Sequence, residues 1–160
     1  GGDKDSFEKA KPILQGMGKN IVHCGSGGLG QATKICNNML AGINALAAAE
    51  AMTMGERLGV SPDILYEVIS TSTGRSYIFE TSNPMPDVCS TSPANNKFKP
   101  GFMAKLMLKD LRLSQAAAQD AKTSTPLGAA ATAAFQQLID SGFGDLDTSS
   151  IIKVIKPESK

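Results

Sequence analysis

The feature that most constrains this fold is a helical run of about thirty residues. From Gly28 to Leu58 the chain is rich in alanine, methionine and leucine, and after Gly30 its helix-weakening residues are Gly42 and Gly55. At roughly 1.5 Å per residue, such a helix is about 45 Å long. Its middle third is apolar on nearly every side, which is typical of a helix that is buried on most sides. We therefore expect it to be the spine of the domain or part of a subunit interface.

Capping and helix-breaking residues divide most of the remaining chain into further helices. Ser61 and Pro62 supply a cap and a first-turn proline, which predicts a helix that runs to Ser70. The other predicted helices span residues 3–18, 101–121, 126–141 and 147–155. Residues 71–100 are rich in Thr, Ser, Asn and Pro, which predicts a long loop with one short helix at 76–80. Loops of this length in compact domains tend to be functional.

One short strand is predicted near the start of the chain. Residues 19–24 read Lys-Asn-Ile-Val-His-Cys and follow the first helix directly. A single strand does not form a sheet by itself, and the rest of the chain offers no good partner. We therefore expect its partner strands to lie upstream of residue 1.

Composition excludes several classes of function. Sixteen Lys and Arg against fifteen Asp and Glu give a net charge of +1, so no broad basic surface is available for nucleic acid or an anionic membrane. No apolar run approaches the roughly 20 residues of a membrane helix. Three separated cysteines and the single His23 do not supply a disulfide framework or a four-ligand metal site. We expect no metal, no nucleic-acid partner, no membrane contact and reduced thiols.

Residues 25–30 read Gly-Ser-Gly-Gly-Leu-Gly and match the G-x-G-x-x-G pattern of dinucleotide-binding folds. That pattern requires a βαβ unit with an acidic residue about 20 positions further on, at the end of a second strand. Glu50 stands at about this distance, but it lies deep in the helical run, and no second strand follows. The glycines are therefore not interpreted as a Rossmann fingerprint.

The same glycines fit a second pattern, G-x-x-G-x-G-x-x-x-K-x-x-x-N, which ends with Lys34 and Asn38. These two residues are four apart, so a helix places them on one face, one turn from each other. The helix N-terminus presents free N–H groups and a partial positive charge, and glycine permits close approach of an anion. The pattern suits a ligand with a carboxylate and a carbonyl. By spacing alone, the alternative is a solvated lysine beside an ordinary helical asparagine.

Three longer segments together resemble the β-hydroxyacid dehydrogenase family. They are GSGGLGQATKICNNML at 25–40, AEAMTMGERLGVSPDILYEVISTSTGRS at 49–76 and FMAKLMLKDLRLSQAAA at 102–118. The resemblance implies an N-terminal Rossmann domain that binds NAD, followed by an all-helical domain. Residues 1–27 would then be the end of the Rossmann domain and a linker. Residues 28–160 would be an all-α bundle built around one long helix, of the 6-phosphogluconate dehydrogenase C-terminal type.

The resemblance also implies roles for particular residues. Lys34 matches the catalytic general acid–base, and Lys109 and Phe102 match positions that contact the cofactor. Substrate-binding positions are matched by Asn38, Gly30 and Asp110. Without the resemblance, Lys109 and Asp110 would be interpreted as a solvated pair on a helix.

The implied activity is NAD-dependent oxidation of 3-hydroxyisobutyrate to methylmalonate semialdehyde in valine breakdown. The implied partners are this small hydroxy acid, the chain's own Rossmann domain and further copies of the chain in a dimer or tetramer. The implied location is the mitochondrial matrix in a eukaryote and the cytoplasm otherwise. Alternatives are a related dehydrogenase or reductase acting on tartronate, glyoxylate or succinic semialdehyde, a non-catalytic helical dimerisation module, and a bundle that binds an anion. The 160 residues alone are expected to be inactive.

Overall fold

The computed structural model describes residues 1–157, and its regular structure in that range is helical. Seven α-helices follow in chain order: α1 (Lys4–Gln15), α2 (Leu29–Arg57), α3 (Pro62–Ser70), α4 (Tyr77–Thr81), α5 (Ala104–Asp120), α6 (Pro126–Asp140) and α7 (Ile152–Ile155). Two short 3₁₀ helices cover Pro93–Asn96 and Thr148–Ile151. The predicted all-α fold is confirmed.

The chain divides into two units, residues 1–37 and residues 38–160, so the boundary lies within α2. In the first unit, the Asp3 carboxylate caps α1 by accepting a 2.8 Å hydrogen bond from the Ser6 N–H. The ring of Phe7 packs on His23 at a centroid distance of 4.8 Å. The predicted boundary between the end of a Rossmann domain (residues 1–27) and the helical domain (residues 28–160) is not tested by this division and stays a prediction.

The strand predicted over residues 19–24 is wrong for this structure, because no strand is assigned there. A strand needs a hydrogen-bonded neighbour, and within the described part of the first unit none is assigned. Local contacts take its place. The His23 ring nitrogen Nε2 is 2.8 Å from the carbonyl oxygen of Gly2, whose own N–H donates to Gly25.

Helix α2 closely matches the predicted run of residues 28–58. In the second unit it buries small residues on one side, including Ala45, Ala48 and Ala49. Its large apolar side chains Leu40 and Met54 are mostly exposed on this chain. Helix α2 is therefore buried on one side and carries large apolar residues among the polar ones on its exposed side.

The core of the second unit is built by α2, α5, α6 and the C-terminal turns. Leu111 of α5, Phe135 and Leu138 of α6 and Ile151 are fully buried. The small residues of α2 allow α5 to approach it closely. A Cβ atom placed on Gly42 would lie 2.9 Å from Cδ2 of Leu111, so any larger residue there forces this fully buried side chain to shift.

The segment of residues 71–100 is an ordered loop that contains the short helix α4. Ser76 caps this helix with its hydroxyl, which accepts from the Phe79 N–H. Buried Asn83 donates to the Phe79 carbonyl and accepts from the Met85 N–H. Side-chain hydrogen bonds of this kind replace the regular ladder that a loop lacks.

We predict that Leu111→Ala destabilises the protein by about 2–5 kcal/mol, because it removes a fully buried side chain and leaves a cavity. The matched control is Leu113→Ala on the same helix, where the side chain is 50% exposed and the expected change is within about 0.5 kcal/mol. Urea denaturation followed by circular dichroism measures both. Equal losses from the two variants would contradict the assigned orientation of α5.

Candidate active site

A polar network joins α2 to α5 within the second unit. The Asn38 side-chain nitrogen Nδ2 donates a 2.6 Å hydrogen bond to Oδ2 of Asp110. The other oxygen of Asp110, Oδ1, is 2.8 Å from the ammonium nitrogen of Lys109. The fold thus brings together an amide and a carboxylate that are 72 positions apart in the sequence.

The position of Asp110 on α5 explains why the network forms. Asp110 is 6% exposed and lies on the buried face of the helix with Met107, Leu111 and Ser114. A buried carboxylate is costly unless charged or hydrogen-bonding groups compensate it. The Lys109 ammonium, on a side chain that is 57% exposed, supplies the charge, and Asn38 supplies a donor. The amide plane of Asn38 is oriented by this bond.

Beside this network lies an open cavity of about 540 Å³. Asn38 is in its lining, together with Tyr77, Phe102, Met107 and Asp147. The Phe102 side chain is 38% exposed. A concave and mostly apolar lining with a few polar groups is typical of small-molecule sites.

The residues predicted from the sequence fall into two groups. Asn38, Asp110 and Lys109 meet in one network, and Phe102 shares the cavity lining with Asn38. Lys34 and Gly30 belong to the first unit and lie in the first two turns of α2, where Lys34 is exposed. Their assigned roles stay predictions.

Several residues of the cavity lining were not predicted as site residues, among them Tyr77 and Asp147. From the sequence, Tyr77 belongs only to a short helix, and Asp147 and Thr148 are alternative caps of the last helix. Asp147 does cap the 3₁₀ helix, but it also bonds to residues more than 40 positions away. The signal in the sequence was the position of Asp147, which is typical of a capping residue at the start of a short C-terminal helix.

Within residues 1–157, no group of three or more His, Cys, Asp or Glu side chains is placed to hold a metal ion. In the same range, no helix has the length and apolarity to span a membrane.

Comparison with known proteins identifies the family to which the chain belongs. A family model described as the NAD-binding domain of NADP-dependent 3-hydroxyisobutyrate dehydrogenase matches residues 28–155. The chain belongs to this 3-hydroxyisobutyrate dehydrogenase family.

Three similar proteins illustrate the match. The NAD-dependent L-serine dehydrogenase of Pseudomonas aeruginosa is 40% identical over 98% of this chain and 53% of its own length. The mitochondrial 3-hydroxyisobutyrate dehydrogenase of Drosophila melanogaster is 39% identical over 99% of this chain and 49% of its own. The structure of Mycobacterium tuberculosis 3-hydroxyisobutyrate dehydrogenase with L-serine superposes with a TM-score of 0.92, at 40% identity over 98% of this chain and 53% of its own. This chain therefore spans about half the length of these relatives.

The side chains of the second unit fit the cofactor that the family description names. A dinucleotide cofactor is anionic at its diphosphate and has planar rings. Lys109 offers a largely exposed ammonium, and Phe102 offers a partly exposed aromatic face at an apolar cavity. The predicted NAD cofactor agrees with the family match.

We predict that Asp110→Asn destabilises the protein by about 1–3 kcal/mol. The new amide has one oxygen where the carboxylate has two, so its buried NH₂ group faces either the donor of Asn38 or that of Lys109. Urea denaturation measures the change. Asp120→Asn, at the exposed end of α5, is the matched control and is expected to cause no loss, because a carboxylate is unfavourable at a helix C-terminus. An Asp110→Asn protein as stable as wild type would contradict the network.

Proposed function

We propose that this chain is the C-terminal, catalytic part of an NAD-dependent dehydrogenase that oxidises 3-hydroxyisobutyrate to methylmalonate semialdehyde. The observation that carries the proposal is the network of Asn38, Asp110 and Lys109, which lies inside the segment that the family model matches. Membership of the family supports the reaction class. The identity of the substrate goes beyond what family membership supports and is proposed.

In this proposal, Lys34 accepts the proton of the substrate hydroxyl during oxidation and returns it during reduction. The bound nicotinamide ring supplies the acceptor for the hydride that leaves the carbinol carbon. Oxidation also requires a base at the substrate hydroxyl, and Lys34 takes that proton through Nζ; in the reverse direction it returns the proton. The chain offers a single histidine, His23, and the family resemblance assigns it no role.

The other assigned residues bind and orient the substrate and the cofactor. Asn38 presents an amide whose plane is set by Asp110, and an oriented amide hydrogen-bonds a bound hydroxy acid at lower entropic cost. The resemblance assigns Gly30 to substrate binding; in this structure the backbone nitrogen of Gly1 would lie 3.0 Å from a Cβ atom placed on it. Lys109 places a positive charge for an anionic group of the cofactor, and Phe102 supplies an apolar wall.

L-Serine is the second candidate substrate, since one relative is named for it and one similar structure contains it. Serine and 3-hydroxyisobutyrate share a β-hydroxyl and a carboxylate, and differ in carrying an ammonium or a methyl group on the α-carbon. In the cavity lining, the carboxylate of Asp147 already accepts four hydrogen bonds from the protein itself. Its acceptor sites are filled, so it offers no hydrogen bond to an added ammonium, and the proposal favours the methyl group on this ground.

We predict that Lys34→Ala lowers kcat by roughly 100-fold or more in the protein expressed from its complete reading frame, because a general base is lost. The measurement is NADH formation from 3-hydroxyisobutyrate. Lys19→Ala, which removes another exposed lysine of the first unit, is the matched control and is expected to keep wild-type turnover. Should Lys34→Ala turn over as fast as wild type, Lys34 would be a surface lysine and the mechanism would be wrong.

We predict that kcat/KM for 3-hydroxyisobutyrate exceeds that for L-serine by about tenfold or more, since an unpaired ammonium is costly in an apolar lining. The assay includes the semialdehydes of tartronate and succinate, and glyoxylate, in the direction of reduction. A preference for one of these, or for serine, would move the substrate assignment within the family. The 160-residue chain alone is the negative control and is expected to show no turnover.

A further inference from the structure

The carboxylate of Asp147 is buried and is fully occupied by donors from its own chain. Its Oδ2 accepts from the N–H groups of Gly101 at 3.0 Å and Phe102 at 2.9 Å. Its Oδ1 accepts from the N–H of Ser149 at 2.9 Å and from the Ser149 hydroxyl at 2.8 Å. Asp147 is only 4% exposed, so these bonds replace the water that a carboxylate otherwise binds.

The same segment also holds the carbonyl group of Phe102. The N–H of Thr148 donates to the Phe102 oxygen at 2.9 Å, and the Thr148 hydroxyl donates to it at 2.7 Å. Both backbone polar groups of Phe102 are thus bound by residues 147 and 148. The side chain of Phe102 remains at the cavity lining, with 38% of the residue exposed.

Capping does not account for this arrangement. Asp147 precedes the 3₁₀ helix Thr148–Ile151, and its bonds from Ser149 suffice to cap that helix. The Oδ2 bonds run instead to residues 45 and 46 positions away in the sequence. Because all four bonds fill the acceptor sites of the carboxylate, Asp147 is also not placed to take a substrate proton.

We propose that Asp147 is a positioning residue that holds Phe102 at the cavity wall and thereby sets the affinity for the dinucleotide cofactor. This inference rests on the proposed function, which places the cofactor against Phe102. The carboxylate acts through the peptide groups of residues 101 and 102 and touches no reacting atom. Loss of the Oδ2 acceptor removes the bonds to both N–H groups and loosens this peptide segment, and an aromatic wall that moves binds a planar ring less well.

The test compares Asp147→Asn with Asp145→Asn in the protein expressed from its complete reading frame. The amide at 147 keeps one acceptor oxygen, and its NH₂ group faces one of the two donor pairs. Asp145 is a matched control, because its side chain is 82% exposed and pairs with Lys105. Asp147→Asn is expected to raise the dinucleotide Kd by about tenfold in calorimetry and to speed amide hydrogen exchange at 101 and 102 without ligand. Asp145→Asn is expected to change neither.

A double-mutant cycle with Phe102→Leu separates positioning from general destabilisation. If Asp147 acts through Phe102, Asp147→Asn raises the Kd by less than about twofold once the ring is absent. An equal rise in both backgrounds, or no rise in the wild-type background, overturns the proposal. A Kd unchanged by Phe102→Leu alone overturns it for a different reason, since the cofactor contact of the proposed function would then be wrong.

Thr148→Val keeps the proposal testable if Asp147→Asn fails to fold. This variant removes the hydroxyl bond to the Phe102 oxygen and leaves the N–H bond from residue 148 in place. We expect a smaller rise in Kd, about two- to threefold, which disappears in the Phe102→Leu background. No rise, or a rise that persists without the ring, overturns the proposal.

Discussion

The close approach of α5 to α2 at Gly42 is the contact on which the second unit depends. A Cβ atom at position 42 would lie 2.9 Å from Leu111 and 3.1 Å from the sulfur of Met107. One turn before this glycine, Asn38 makes its 2.6 Å hydrogen bond to Asp110, which neighbours Leu111. Core packing and the polar network therefore share one helix–helix interface. A side chain that pushed the helices apart at Gly42 would lengthen the bond as well as disturb the core.

Two buried carboxylates serve different purposes in this unit. Asp110 bonds to the side chains of Asn38 and Lys109 and so arranges functional groups. Asp147 bonds to backbone N–H groups and so arranges the main chain near Phe102. At these depths the hydrogen-bond donors replace the solvent that a carboxylate otherwise binds. Both carboxylates are held by donors, and the proposed reaction, following the family resemblance, assigns proton transfer to Lys34 instead.

The sequence predicted the helices better than the polar contacts. Helix signals are local in the sequence, whereas the polar contacts join residues that are far apart in it. Pro62 and Pro126 mark helix starts locally, and both stand in the first turn as expected. Ser61 occupies its cap position, although its side chain makes no capping bond. The strand at residues 19–24 required a partner, and the long-range bonds of Asp147 required the folded chain. The resemblance placed Asp110 near the active site, but its burial emerged only from the packing of α5.

Helix α2 distributes its side chains by size, and this bears on the predicted oligomer. Its core side presents Ala45 and Ala48, whose small volume lets neighbouring helices approach. Larger apolar residues, Leu40 and Met54, are 57% and 62% exposed on the described chain. Large apolar patches mark association surfaces, but these two residues are fourteen positions apart, so the oligomer stays a prediction. The same helix carries Asn38, so a partner packed on α2 would stiffen the element that holds the amide of the polar network.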